Sequence, residues 1–336
     1  MMRLLITGGC GFIGSNFIRY ILDKYPDYRI VNVDALTYSG NPENLKDIQG
    51  DYRYSFVHGR IENATLASDL VRNADCVIHF AAESHVDRSI VDAEPFLITN
   101  VMGTHVLLAA ARKLASTRFI HISTDEVYGS LGDAGMFTED TPLRPNSPYS
   151  ASKASGDMLV RAYHETYKLP AIIVRPSNNY GPYQYPEKFI PLMITNILEN
   201  RQIPVYGGGT NVRDWLFVGD TCSAIDVIMH KGRDGEIYNV GGNAERKNID
   251  IARRVLEMMG KGEKSITYVP DRPGHDYRYA LDNSKIEREL CWRPSTDVEK
   301  GLEATIRWYR ENERWWKPLK ERLSSESRGF WETKKP

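Results

Sequence analysis

Short, unbroken apolar runs alternate along this chain with longer stretches in which apolar residues recur every three or four positions. Arg3-Leu4-Leu5-Ile6 reads as a buried strand, followed by a helix over 15–25. Ile30-Val31-Asn32-Val33, residues 54–57 and Cys76-Val77-Ile78-His79-Phe80 read as further strands, with helical periodicity at 65–72 and 101–114. Phe119-Ile120-His121-Ile122-Ser123 and Ala171-Ile172-Ile173-Val174 flank a helix over 148–167. Continuous apolar strands alternating with amphipathic helices predict an α/β fold, a doubly wound parallel sheet covered on both faces.

The rhythm changes after Arg175-Pro176. Prolines at 176, 182, 186, 191 and 204, and Gly207-Gly208-Gly209, mark loops. Ile237-Tyr238-Asn239-Val240 reads as a strand that rejoins the main sheet, and 249–259 and 298–309 read as helices. The division this predicts is a dinucleotide-binding domain over 1–177, with a returning segment near 212–243. A smaller α/β substrate-binding region takes 178–211 and 244–325. Trp308, Trp315 and Trp316 near the C-terminus read as packing residues, as do the strand histidines His79 and His121.

Composition narrows the function classes. The 336 residues carry 43 Lys+Arg against 44 Asp+Glu, so no global field recruits nucleic acid. No apolar run approaches the ~18 residues of a membrane span. The four cysteines, Cys10, Cys76, Cys222 and Cys291, have neither Cys-x-x-Cys nor zinc spacing and read as buried thiols in a reducing compartment. The first strand begins at once, leaving no room for a signal peptide. A soluble cytoplasmic protein with no metal is the expectation.

Thr7-Gly8-Gly9-Cys10-Gly11-Phe12-Ile13-Gly14 follows the first strand and opens the first helix. Gly8, Gly11 and Gly14 suit a tight turn, close approach of a pyrophosphate and close helix–strand packing, and the helix N-terminus favours the anion. Asp34 ends the second strand twenty residues after Gly14, where a carboxylate binds the ribose hydroxyls and repels a 2′-phosphate. A strand-ending turn aspartate is the plainer reading of Asp34 alone. Joined to the loop, it predicts a Rossmann-type site for NAD rather than NADP.

Tyr149 and Lys153 share a helix face at i and i+4, a pair suited to redox chemistry on an alcohol. Lys153, standing beside Tyr149, and an oxidised nicotinamide would together favour the phenolate and lower the tyrosine pKa. Thr124-Asp125-Glu126 follow the strand ending at Ser123, the end at which such sheets bind ligands. Two adjacent carboxylates push their pKa values apart and so supply one acid and one base.

Gly-x-x-Gly-x-x-Gly with Tyr-x-x-x-Lys resembles the extended short-chain dehydrogenase/reductase superfamily. Longer stretches sharpen this: Ala81-Ala82-Glu83-Ser84-His85-Val86-Asp87-Arg88-Ser89, Ser123-Thr124-Asp125-Glu126-Val127-Tyr128-Gly129 and Asn178-Asn179-Tyr180-Gly181-Pro182-Tyr183-Gln184. With Pro186-Glu187-Lys188, Arg213-Asp214-Trp215 and Asp271-Arg272-Pro273-Gly274-His275-Asp276, they resemble the dTDP-glucose 4,6-dehydratase family from Leu4 to the tryptophan-rich tail.

The resemblance implies an NAD-dependent hydro-lyase that converts dTDP-glucose to dTDP-4-keto-6-deoxyglucose and water. The steps are C4 oxidation, C5/C6 elimination and hydride return to C6. It implies Tyr149 as acid/base at the 4-hydroxyl, Thr124 holding that hydroxyl, Glu126 as base at C5 and protonated Asp125 as donor to the departing 6-hydroxyl. Leu36, Thr37, Ile61, Ala81, Ala82, Thr99 and Asn179 would join Gly8, Gly11, Phe12, Ile13, Gly14, Asp34, Tyr149 and Lys153 around NAD. Ser84, Asn178, Lys188, Tyr206, Arg213, Asn248, Arg272 and His275 would contact the nucleotide sugar, the arginines as phosphate forks. A homodimer through the helices of Val101 and Tyr149, and a place in deoxysugar synthesis, are further implications.

One departure stands out. His58-Gly59-Arg60-Ile61 carries arginine where the family has an aspartate that accepts from adenine, and arginine cannot accept. Retained NAD binding with altered adenine contacts is expected. A nucleotide-sugar 4-epimerase, which needs no Asp125-Glu126 pair, a dehydratase for another nucleoside-diphosphate hexose and a dinucleotide-sensing binder are the competing readings.

Overall fold

The computed structural model describes residues 2–114 and 117–332, with side chains to 323. Its strands are β1 (Arg3–Thr7), β2 (Arg29–Asp34), β3 (Tyr54–His58), β4 (Cys76–His79), β5 (Arg118–Ile122), β6 (Ala171–Pro176), β7 (Asn178–Tyr180), β8 (Ile203–Tyr206), β9 (Val212–Phe217), β10 (Ile237–Val240), β11 (Glu245–Lys247) and β12 (Ile266–Val269). Seven of them form one parallel sheet in the order β3-β2-β1-β4-β5-β6-β10. The doubly wound parallel fold is therefore as expected, and β10 does rejoin the sheet, beside β6.

Successive strand residues face opposite sides of the sheet, and both sides are filled. Leu4 and Ile6 join Phe17, Ile18 and Ile21 of the helix Phe12–Lys24 and Ile225 and Ile228 of Val218–Lys231. Leu5 joins Val77, Phe119, Leu107, Leu108 and Val160 on the other face. Because β1 lies between β2 and β4, the winding reverses there, and a crevice opens at the carboxyl ends of these strands.

Two helices differ from the periodicity. The first begins at Phe12, three residues early, because Gly11 is its extended N-cap. The element expected over 101–114 begins earlier, passes through a π-helical turn, Leu97–Gly103, and ends as an α-helix, Thr104–Ala111. The π turn carries Asn100, whose side chain accepts from Glu83 N at 2.9 Å and donates to Ser152 Oγ at 2.8 Å. An extra residue in the turn re-aims one side chain at a site. The helix Pro148–Tyr167 matches expectation, because Ser147 and Ser150 form a reciprocal capping box and Pro148 occupies the first turn.

Beyond β6 a second core gathers Ile190, Ile194, Val205, Trp215, Val255, Leu302, Tyr309 and Trp316. Around it lie a three-stranded sheet, β11-β9-β7, and the parallel pair β12-β8. Cys10, Cys76 and Cys222 are buried, whereas Cys291 is exposed, contrary to the expectation for all four. No helix among the described residues is long and apolar enough to cross a membrane.

Candidate active site

The glycine loop turns at the carboxyl end of β1, and its glycines are required by space. A Cβ on Gly8, whose φ is +72°, would stand 2.6 Å from the Ala81 backbone, and one on Gly14 would stand 2.6 Å from the Gly8 carbonyl oxygen. No side chain caps the helix that starts at Phe12, so its first N–H groups are left for a ligand. Asp34 is nearly buried. Its carboxylate accepts from Cys10 N at 2.9 Å and from Leu36 N at 2.8 Å, which fixes it beside the loop.

A cavity of about 210 Å³ lies over this loop. Gly8, Gly11, Phe12, Ile13, Gly14, Asp34, Thr37, Ile61, Ala81, Ala82, Thr99, Tyr149 and Lys153 all line it, with exposed Arg60 on its rim. Leu36 does not line it; its backbone N–H serves Asp34. Asn179 lines the neighbouring larger cavity instead, its amide held by Ser177 O at 2.9 Å and Thr221 Oγ1 at 2.5 Å. The cradle fits a dinucleotide: close backbone approach at the glycines, free helical N–H groups and a fixed carboxylate at the far end.

Tyr149 is 8% exposed and packs edge-on against Phe96. Burial and then Glu126 push its phenol well above the ordinary tyrosine range, opposed by a hydrogen bond with Thr124. The largest influences on the phenol are burial, Glu126, Thr124, Asp125 and Tyr38. The Lys153 ammonium donates to the Ile122 carbonyl at 2.7 Å, and burial brings its pKa down to about 8, opposed by Asp157. The lysine shares the helix face with Tyr149, but the end of β5 holds its charge.

Thr124, Asp125 and Glu126 form the turn after β5, where Thr124 caps the 3₁₀ turn Asp125–Tyr128 by accepting from Glu126 N at 3.3 Å. Asp125 is 2% exposed and accepts from Thr124 Oγ1 at 3.3 Å, while its Oδ2 has no partner. Burial first, then Glu126 and Asp214, raise its pKa well above the carboxylate range. Glu126 is also raised by burial, but Arg272, Arg213 and Lys188 oppose the shift. The adjacent acids therefore face different environments.

Glu126 lines a second cavity of about 910 Å³, with Ser84, Asn178, Lys188, Tyr206, Arg213, Asn248, Arg272 and His275. All the expected sugar-nucleotide residues are here except Thr124, which caps the turn that carries Glu126. Several polar atoms in this lining are buried with no partner: Asn178 Oδ1, Asn248 Oδ1, Arg272 Nε and Trp215 Nε1. Orphaned groups of this kind suit a ligand rich in donors and acceptors. Lys188 donates to Ser84 O at 3.0 Å, and Arg213 to Asp276 O at 2.9 Å. His275 pairs with Asp271 at 2.6 Å. Ser84, Gln184, Glu187 and Lys188 line both cavities, which therefore meet.

Several site residues had no assigned role in the sequence. Asp87 accepts from Tyr206 OH at 3.1 Å and faces Arg272 at 3.5 Å. Glu187 faces Arg88 at 3.5 Å, and Tyr279 lies under the Arg213 guanidinium at 4.4 Å. Asp87 and Glu187 sit inside stretches whose pattern was noticed, so the signal was present; Tyr279 lies three residues past Asp276 and had none. Among the described residues no cluster of three or more His, Cys, Asp or Glu could hold a metal.

The family model described as GDP-mannose 4,6 dehydratase matches residues 5–305. A dTDP-glucose 4,6-dehydratase from Mycobacterium tuberculosis is 51% identical over 323 residues, 95% of this chain and 97% of that protein. A dTDP-glucose 4,6-dehydratase from Bacillus anthracis, solved in complex with NAD, superposes with a TM-score of 0.90 at 53% identity, over 95% of this chain and 100% of that one. Another from Streptomyces venezuelae, solved with NAD and TYD bound, gives 0.92 at 51%, over the same shares. With the glycine cradle, the tyrosine and the carboxylate pair at one crevice, and relatives of this closeness, the chain belongs to the GDP-mannose 4,6-dehydratase family, beside its dTDP-glucose 4,6-dehydratases.

Proposed function

We propose that this protein is an NAD-dependent dTDP-glucose 4,6-dehydratase, a hydro-lyase yielding dTDP-4-keto-6-deoxyglucose. The observation that carries the reading is the pair of differently surrounded acids beside Tyr149: Glu126 lines the larger cavity among its cations, while Asp125 is buried behind the wall, and both act on the tyrosine. NAD bound in the smaller cavity would supply the reversible oxidation at C4. Gly8 to Gly14 would hold its pyrophosphate and Asp34 its ribose, with Arg60 at the rim available to stack on the adenine.

The residues divide the work. Tyr149, as the phenolate that the charges of Lys153 and a bound oxidised nicotinamide would favour, takes the proton of the sugar 4-hydroxyl, which Thr124 orients. The 4-ketone so formed acidifies C5–H, and Glu126, the acid opposed by three cations, removes that proton. Asp125, kept neutral by burial and its neighbour, donates to the departing 6-hydroxyl, and water leaves. The hydride taken from C4 would return to C6 while Glu126 gives its proton back to C5, so the cycle ends with no net redox change. Arg213, Arg272 and Lys188 neutralise the diphosphate, and Ser84, Asn178, Asn248, Tyr206 and His275 complete the nucleotide-sugar site.

We assign cofactor binding to 1–177 with the return through β10, and the sugar nucleotide to the remainder. A homodimer through residues 94–111 and 148–167 fits the exposed Leu97, Met102 and Met158, which are 52%, 55% and 60% accessible. A cytoplasmic location fits four unpaired thiols.

The test is product mass after incubation with dTDP-glucose. Loss of one water is expected. Unchanged mass with altered sugar stereochemistry would make the protein an epimerase, and absence of conversion would leave another nucleotide sugar or a binding role.

A further inference from the structure

One side chain near the C-terminus reaches two walls of the cofactor cavity. Trp315, in the helix Glu313–Glu332, donates its indole N–H to Asn44 Oδ1 at 2.8 Å. Asn44, 1% exposed, donates in turn to the Cys10 carbonyl at 2.8 Å. Cys10 is the centre of the glycine loop, and its N–H donates to Asp34 Oδ2 at 2.9 Å. The loop residue is thus held on one side by the carboxylate assigned to the ribose and on the other by Asn44.

The second wall is Tyr183, which lines the cofactor cavity with a left-handed φ of 65°. A bulky residue keeps that conformation only where its surroundings over-determine it. Here the Tyr183 ring lies 4.6 Å from Trp308 and 5.8 Å from Trp315, with the Arg19 guanidinium 4.2 Å from its centroid. The next residue, Gln184, offers its carbonyl to Tyr309 OH. Trp316, by contrast, is fully buried and donates to Tyr309 O at 2.8 Å, inside the C-terminal core.

We infer that Trp315 is a positioning residue for the dinucleotide, bracing the phosphate loop through Asn44 and the opposite wall through Tyr183. The inference rests on the assignment of the smaller cavity to NAD. Without the indole N–H, buried Asn44 Oδ1 loses its partner and the amide that holds the Cys10 carbonyl is freed to turn. The loop N–H groups then no longer converge on the pyrophosphate.

The experiment measures NAD dissociation constants by calorimetry for the wild type, Trp315→Phe, Asn44→Ala, the double variant and Trp316→Phe, beside urea melts. Loss of one buried hydrogen bond predicts that Trp315→Phe and Asn44→Ala weaken NAD about five-fold, that the double variant is no weaker than Asn44→Ala, and that Trp316→Phe stays within about two-fold whatever its stability. At saturating NAD, Trp315→Phe should lose less turnover than affinity. Wild-type affinity in Trp315→Phe, or equal weakening in Trp316→Phe, overturns the brace. Should Trp315→Phe not fold, Asn44→Ala carries the same test. A wild type that binds no NAD overturns the cofactor assignment instead.

Discussion

Asp125 and Glu126 are neighbours in sequence, yet only Glu126 faces the large cavity and its cations, while Asp125 is buried with an unpartnered Oδ2. That difference divides an acid from a base. We expect Glu126→Gln to oxidise C4 and accumulate reduced nicotinamide absorbance while dehydration slows by about 10²- to 10⁴-fold, the usual contribution of a general base. Normal dehydration by this variant would remove Glu126 from the mechanism.

The raised Asp125 pKa has a consequence for stability. A carboxyl whose folded pKa lies above its unfolded value contributes stability below the unfolded value, near 3.9, and loses it as pH rises through the folded pKa. Asp125→Asn lacks this loss. Its urea midpoint should exceed that of the wild type at pH 8, by more than at pH 5, while elimination slows. A gap independent of pH would mean that Asp125 is not held neutral.

Lys153 gives the opposite slope. Its folded pKa, about 8, lies below the ordinary 10.5, so between those values the unfolded chain binds more protons and stability rises with pH. Relative to Lys153→Met, the wild type should gain up to about 3 kcal/mol between pH 8 and 10.5, read from urea melts at each pH. Activity of the wild type should fall over the same rise, as the ammonium is lost.

Gly14→Ala places a Cβ 2.6 Å from the Gly8 carbonyl oxygen, where backbone must move. We expect a loss of stability of about 1–3 kcal/mol and, at temperatures where the variant is folded, NAD affinity reduced far more than affinity for the nucleotide product.

Arg60 stands at the rim of the cofactor cavity. If its guanidinium stacks on adenine, Arg60→Ala should weaken NAD by about two- to five-fold and leave binding of nicotinamide mononucleotide unchanged. Equal effects on both ligands would place Arg60 elsewhere than at the adenine.

The main features of the fold were legible because its signals are local. Strands buried on both faces are continuous apolar runs, Ser147-Pro148 announces the helix that carries Tyr149 and Lys153, and Gly8 to Gly14 sit where a Cβ would collide. The π turn at Leu97–Gly103 was not legible, because its extra residue answers to Glu83 and Ser152 across the site rather than to its own periodicity.

By itself, then, the sequence determined the strand–helix alternation, the cradle for a dinucleotide and the set of acids, bases and cations gathered at one crevice. Only the tertiary structure decided which partner each charge meets. Lys153 serves the Ile122 carbonyl because β5 ends beside its helix, and Asp87 faces Arg272 because the short helix Val86–Val91 and a distant loop line one cavity. Trp315 reaches Asn44 from 271 residues away. Secondary structure follows from short-range sterics and periodic burial, whereas the protonation and aim of a buried group depend on whatever the folded chain brings within a few ångströms.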